Sequence, residues 1–418
     1  MSQKITSSIM IILLTINLPV ANTLFFTNNH SIQGISSNAK VLEFNAEAEN
    51  ELVIYTHESF LTWGLDPEAS RYTAFEKFAL EKGVSIRIYN YNGMVDALND
   101  LIREKDNPRA DLVIGLDNTM VARAKTEGIL EPYTEVNLDN ISTSLVNSLD
   151  PEKYLLPIDY SLLAFVFDTE FINTTSYSEL SDLSFELLNS TFAEDLVVQD
   201  PTLSATGLNF LLYQIVFYEE ILHLDWTIWW ETIKDKLIID SSWSASWDRV
   251  FTTKESHMMV SYATDPAYNA YFNYSFEKNA EIIHYNSQKY GWLQIEGIGI
   301  VNGTDDLALA KEFIDHSLNG EFQDLIAVNN WMFPANQAIV LPPCYSYAIT
   351  PEDVIILNDY LTPTEIGDNY LSWLNEWEEI VYGTGLWWLW VTIPSSIILI
   401  AILVAVPLYL RSKRLNID

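Results

Sequence analysis

The sequence predicts an α/β protein of two lobes, on three observations. At 418 residues the chain is too long for one small core. Its first third alternates strand-type and helix-type hydrophobic periods in β-α-β-α-β order, which builds a mostly parallel sheet. Runs such as "ADLVIGLDN" (110–118) are almost continuously apolar, as strands covered on both faces must be.

The elements follow in order. "ELVIYT" (51–56) is a strand, and Phe75 to Lys82 fits the helix after it. "VSIRIYNY" (84–91) alternates like a strand, and "MVDALNDLIREKD" (94–106) has helical spacing. After the 110–118 strand comes the long β-type segment "YLLPIDYSLLAFVFD" from 154, suited to a crossover between lobes. "DLVVQDP" (195–201) ends a strand in a turn, and "LSATG" (203–207) then opens the apolar helix "LNFLLYQIVFYEEIL". "KLIID" (236–240), "HMMVSY" (257–262) and "GWLQIEGIGIV" (291–301) are further strands. "DLALAKEFIDHSLN" (306–319) and "NYLSWLNEWEEIVYG" near the end are helices.

Both ends carry apolar segments. Lys4 followed by the run Ile9 to Val20 fits a secretory leader over 1–23, with a polar spacer at 24–50. Leu386 to Leu410 is uncharged and long enough to cross a bilayer with tilt, flanked by Trp387, Trp388 and Trp390. Arg411, Lys413 and Arg414 place the 411–418 tail in the cytoplasm by the positive-inside rule. The expectation is an extracellular body held by one C-terminal membrane helix.

The formal net charge is −35, which repels nucleic acid and favours a soluble surface with affinity for cations. Cys344 is the sole cysteine, so no intrachain disulfide forms and no zinc-ligand spacing exists. GxSxG, GxxxxGK[ST] and HExxH are absent, and nothing points to catalysis. Binding features are present. Ser204, Thr206 and Gly207 lie between a strand and a helix, where they serve equally as a helix cap or an anion site. Trp243 and Trp247, four apart, share a helix face. "SYATDPAYNAYF" (261–272) crowds aromatics around a Thr-Asp-Pro turn, and Trp331 sits in an irregular stretch before Pro334.

At these residues the chain resembles the thiamine-binding proteins of ABC importers. The motifs are "YTHESF" (55–60), "ADLVIGLDN" (110–118), "PIDYSLLAFVFD" (157–168), "QDPTLSATGLNFLL" (199–212), "SYATDPAY" (261–268) and "NNWMFPA" (329–335). The resemblance spans roughly 51–380. It implies a two-lobed, periplasmic-binding-protein-like type II fold with the ligand cleft at the hinge. The first lobe would comprise 51–160 and a return segment 293–384, and the second 161–292. It implies capture of thiamine or its phosphates for a membrane permease and its cytoplasmic ATPase, with no enzyme activity and no cofactor. Trp243, Tyr262, Tyr268 and Trp331 fall on positions resembling the family's aromatic ligand contacts, and Ser204 on a contact near the hydroxyethyl or phosphate end. His57 stands where the family has Tyr, and Asn92 where it has Asp; both are expected at the ligand. The alternatives are the same fold around a polyamine or ferric iron, or a surface receptor or adhesion ectodomain.

Overall fold

The computed structural model describes residues 39–274 and 279–383. The expected leader (1–23), membrane helix (386–410) and cytoplasmic tail (411–418) lie outside the described residues. Among the described residues, no helix is long and apolar enough to cross a membrane.

One sheet path organises the chain. In spatial order it runs Lys40–Phe44, Ser85–Tyr91, Glu51–His57, Leu112–Asp117, Leu293–Val301, Leu156–Phe167, Met258–Tyr262, Leu196–Gln199, Ile238–Asp240. The sheet is mixed, a correction to the mostly parallel one expected. Strands joined through helices are parallel: Glu51–His57 with Ser85–Tyr91 and Leu112–Asp117, and Leu196–Gln199 with Ile238–Asp240 and Met258–Tyr262. The strands that carry the chain between the two halves run antiparallel to their neighbours. A chain that leaves one half and returns to it must come back in the opposite direction.

Residues 24–50, expected as a spacer, include a strand. Lys40–Phe44 pairs antiparallel with Ser85–Tyr91 at the sheet edge. Leu42 and Phe44 turn inward onto the core, and the Phe44 ring stacks on Phe75 at 5.8 Å. That alternating apolar pair makes a strand of a polar-looking segment.

Two apolar cores lie along the sheet. The first gathers Leu52, Ile54, Phe75, Ile86, Leu112, Ile114, Phe313 and Phe322. The second gathers Phe185, Leu196, Phe210, Trp229, Trp230 and Trp292. The strand Leu156–Phe167 enters both. Leu156 and Ile158 belong to the first core, Leu163, Phe165 and Phe167 to the second. This is how the crossover segment joins the lobes: a period-two strand long enough to serve two cores in turn. Tyr262 packs against both cores and marks their junction.

The helix Pro363–Tyr382 starts at a reciprocal cap. Thr362 Oγ1 accepts from the Glu365 backbone, and the Glu365 carboxylate accepts from the Thr362 backbone. Its Ile366 and Trp377 join the second core, with Trp377 edge-on to Trp230 at 5.7 Å. Gly367 lies against Ala122 of the helix Val121–Thr126, on the other half. A side chain at 367 would collide there, since its Cβ would fall 2.7 Å from the Ala122 Cβ.

Candidate functional site

A cavity of about 250 Å³ opens where the two halves meet. His57, Asn92, Ser204, Trp243, Tyr262, Tyr268 and Trp331 all line it. These residues span positions 57 to 331 in the sequence; the sheet topology brings them together.

Each reaches the cleft for a local reason. His57 ends the strand Glu51–His57, and its ring lies over Gly115. Gly115 has φ +101, and a Cβ there would come 2.8 Å from the His57 ring, so this position needs glycine for both conformation and space. Ser204 caps the helix Ala205–Val216, its Oγ accepting from Gly207 N at 3.4 Å. The hydroxyl therefore serves as a cap, while Ala205 and Thr206 in the first turn also face the cleft. Gly207 lets that turn press onto the preceding strand, because an added Cβ would meet the Gln199 carbonyl oxygen at 2.5 Å.

Trp243 and Trp247 occupy one face of the helix Trp243–Trp247 and stack at 5.2 Å. The Thr-Asp-Pro segment is a helix start rather than a turn between tyrosines. Asp265 and Pro266 open the helix Asp265–Phe272, with proline in the first turn where its missing N–H costs nothing. Trp243 Nε1 donates to Ser261 Oγ at 2.8 Å, and Ser261 Oγ donates to Asp265 Oδ2 at 2.5 Å. That chain fixes the Trp243 ring from behind. Tyr271 and Phe272 are half-buried and pack on Trp331 at 5.2 and 5.8 Å. Trp331 itself has left-handed backbone, φ 55, after the helical turn Ile326–Asn330.

Several lining residues escaped the sequence reading. Trp63 is foremost. It packs edge-on against Trp243 at 5.4 Å, Trp247 at 5.9 Å and Tyr268 at 6.2 Å, and its carbonyl accepts from Trp331 Nε1 at 2.9 Å. Trp63 and Trp331 come from one half, Trp243, Trp247 and Tyr268 from the other, so the aromatic box closes across the cleft. The only sequence signal was its place three residues beyond "YTHESF". Gln294 and Glu296 lie on the strand Leu293–Val301 and form the floor. Tyr262 Oη donates to Gln294 Oε1 at 3.3 Å and shares a hydrogen bond with Thr206 Oγ1 at 3.0 Å.

The electrostatics have one sign. Glu58, Asp96, Asp265 and Glu296 line the cleft, and among its described lining residues none is Lys or Arg. Burial pushes the Asp265 carboxyl up to about 7 and that of Asp117, behind the floor, up to about 6. Burial, with Asp100 nearby, also raises Asp96. The Tyr262 phenol is pushed well above its usual range and Tyr268 up to about 12, both chiefly by burial. Among the described residues no group of three or more His, Cys, Asp or Glu could hold a metal ion.

Residues 73–347 match the family described as bacterial extracellular solute-binding protein. This chain belongs to that family. Its members bind solutes rather than transform them, and this solute-binding protein is accordingly not an enzyme. The chain is 29% identical over 334 residues to the thiamine-binding periplasmic protein of Brucella abortus biovar 1 (strain 9-941), covering 79% of this chain and 92% of that one. It is 26% identical over 341 residues to the thiamine-binding periplasmic protein of Escherichia coli (strain K12), covering 80% and 94%. A solved periplasmic thiamin binding protein superposes with TM-score 0.64 at 25% identity, covering 79% of this chain and 96% of that one. Iron-bound HitA from Pseudomonas aeruginosa superposes at TM-score 0.60 and 15% identity, covering 78% and 99%. That likeness is one of fold alone, and it places this solute-binding protein among two-lobed periplasmic binding folds.

Proposed function

We propose that this protein captures thiamine outside the cell membrane and delivers it to an ABC permease driven by a cytoplasmic ATPase. The observation that carries the reading is the combination of an aromatic box and four carboxylates in a cleft whose described lining holds no Lys or Arg. Thiamine joins a flat aminopyrimidine to a permanently cationic thiazolium. Stacked indoles and phenols suit both rings, and each cation–π contact contributes about 0.5–2 kcal/mol. Carboxylates at the rim draw the cation in and leave an anionic phosphate ester without a partner. Free thiamine is therefore favoured over its mono- and diphosphate. The Ser204 hydroxyl, already engaged as a cap, adds no charge for a phosphate.

The apolar segment 386–410 would hold the body at the membrane, next to its permease. Tethering raises the binder's effective concentration at the transporter without any new contact.

The test is calorimetric titration of the purified full chain with thiamine, its two phosphates, spermidine and ferric citrate. One-to-one binding that weakens with each added phosphate is expected. Heat from spermidine or ferric citrate, with silence for thiamine, would keep the fold and refute the ligand.

A further inference from the structure

The cleft floor holds a row of carboxylates that the aromatic box does not account for. Glu296 stands in register with Asp117 on one neighbouring strand and with Asp159 on the other. Like charges directly opposed across strands repel. Asp117 is relieved from within the protein, and Asp159 at one oxygen only, its Oδ1 being buried without a hydrogen-bond partner among the described residues. Asp117 accepts from Thr119 Oγ1 at 2.6 Å and from Asn209 Nδ2 at 2.7 Å. Asp159 Oδ2 accepts from Asn330 Nδ2 at 2.6 Å, and burial, with Glu296 beside it, pushes its carboxyl well above the usual range.

Glu296 differs in facing the cleft. It is 7% exposed and lines the cleft. Its Oε1 accepts one long bond from Gln294 Nε2 at 3.4 Å, and its Oε2 has no hydrogen-bond partner among the described residues. His57 Nε2 stands at ion-pair distance from that oxygen, 3.4 Å, and makes no hydrogen bond among the described residues. On the far side of the ring, His57 Nδ1 and Ser59 Oγ are 2.7 Å apart. With Ser59 donating to Nδ1, the ring hydrogen sits on Nε2. The two atoms face each other at ion-pair distance without hydrogen-bond geometry on a cleft wall, so each has bonding capacity that a ligand edge can take up, and leaving such groups unmet is costly. A quaternary thiazolium nitrogen has no hydrogen to offer a carboxylate. An aminopyrimidine edge has what is missing: an exocyclic N–H for Glu296 Oε2 and a ring nitrogen for His57 Nε2–H.

We infer that Glu296 and His57 form a subsite for the amino-bearing edge of a heteroaromatic ring, separate from the aromatic box that stacks on the cation. The inference rests on the thiamine reading for its whole ligand, and on the two unmet atoms for its chemistry. Titration of the full chain with thiamine and with the analogue carrying a 4′-oxo group tests it. The oxo form exchanges donor and acceptor along that edge. The wild-type protein is expected to prefer thiamine by at least about tenfold. Glu296→Gln should weaken thiamine by about 10–100-fold and collapse the preference, whereas Trp243→Ala should weaken both ligands and preserve their ratio.

Equal affinity of the wild type for the two ligands overturns the subsite, as does an unchanged ratio in Glu296→Gln. The wild-type ratio decides by itself if that variant does not fold. Titration with 4-amino-2-methylpyrimidine separates the two claims. Glu296-dependent binding of this fragment without thiamine binding would refute the thiamine reading and support the subsite. Silence for both would overturn both.

Discussion

Asp265 makes the apo protein's stability fall as pH rises through the weakly acidic range. The side chain is 5% exposed, and burial is the main cause that raises its carboxyl from 3.8 to about 7. The sign follows from proton linkage. Between about pH 4 and 7 the unfolded chain has released this proton and the folded chain still holds it. The folded state then binds more protons, so raising the pH favours unfolding. The effect vanishes below about pH 4 and is complete above about pH 7. At 1.36 kcal/mol per pH unit the full cost reaches about 4 kcal/mol.

Asp265→Asn keeps an acceptor for Ser261 Oγ and removes the titration. The variant should lie within about 1 kcal/mol of the wild type near pH 4.5. It should exceed it by up to about 4 kcal/mol at pH 7.5. Urea unfolding followed by tryptophan fluorescence at half-unit pH steps measures the gap. Asp117 titrates in the same window, but it does so in both proteins and cancels in the difference. A gap that stays constant from pH 4.5 to 7.5 would refute the argument, because it would mean that Asp265 does not exchange its proton there.

Three further substitutions probe other links. Trp243→Ala removes the ring stacked on Trp247 and should cost about 1–3 kcal/mol of ligand affinity in calorimetry, with the fold intact by circular dichroism. An unchanged affinity would take Trp243 out of the site. Gly207→Ala drives a Cβ to 2.5 Å from the Gln199 carbonyl and should destabilise by about 1–3 kcal/mol in urea; no shift in midpoint would show that the helix start can retreat. Trp377→Ala empties a fully buried site in the second core and should cost about 3–5 kcal/mol. Trp377→Phe should cost much less, because the indole N–H has no hydrogen-bond partner to lose among the described residues, and equal losses would contradict this.

Much of the fold was legible because hydrophobic period reports secondary structure directly. The run at 110–118 became the strand Leu112–Asp117, and the crossover segment became the single strand Leu156–Phe167. The helix start at Ser204 was readable because capping chemistry is local. Strand direction was less so. Period says that a segment is a strand, but direction depends on which strands become neighbours, and the crossover strands run antiparallel to theirs. Lys40–Phe44 was missed because only two of its residues turn inward, too few to register against polar surroundings.

The sequence by itself determined most of the elements, the acidic character, the absence of intrachain disulfides and the aromatic motifs that come together in one cleft. Those properties belong to residues and short windows, where sterics and hydrophobic period act locally. Only the tertiary structure decided that Trp63 completes the aromatic box from the opposite half. It also decided that Glu296 lies between Asp117 and Asp159 with an oxygen unmet. Both facts depend on register across strands far apart in the chain, and a shift of one residue would turn Glu296 to the other face of the sheet. The cleft's chemistry is thus written in the residues, but its geometry comes from the pairing of strands.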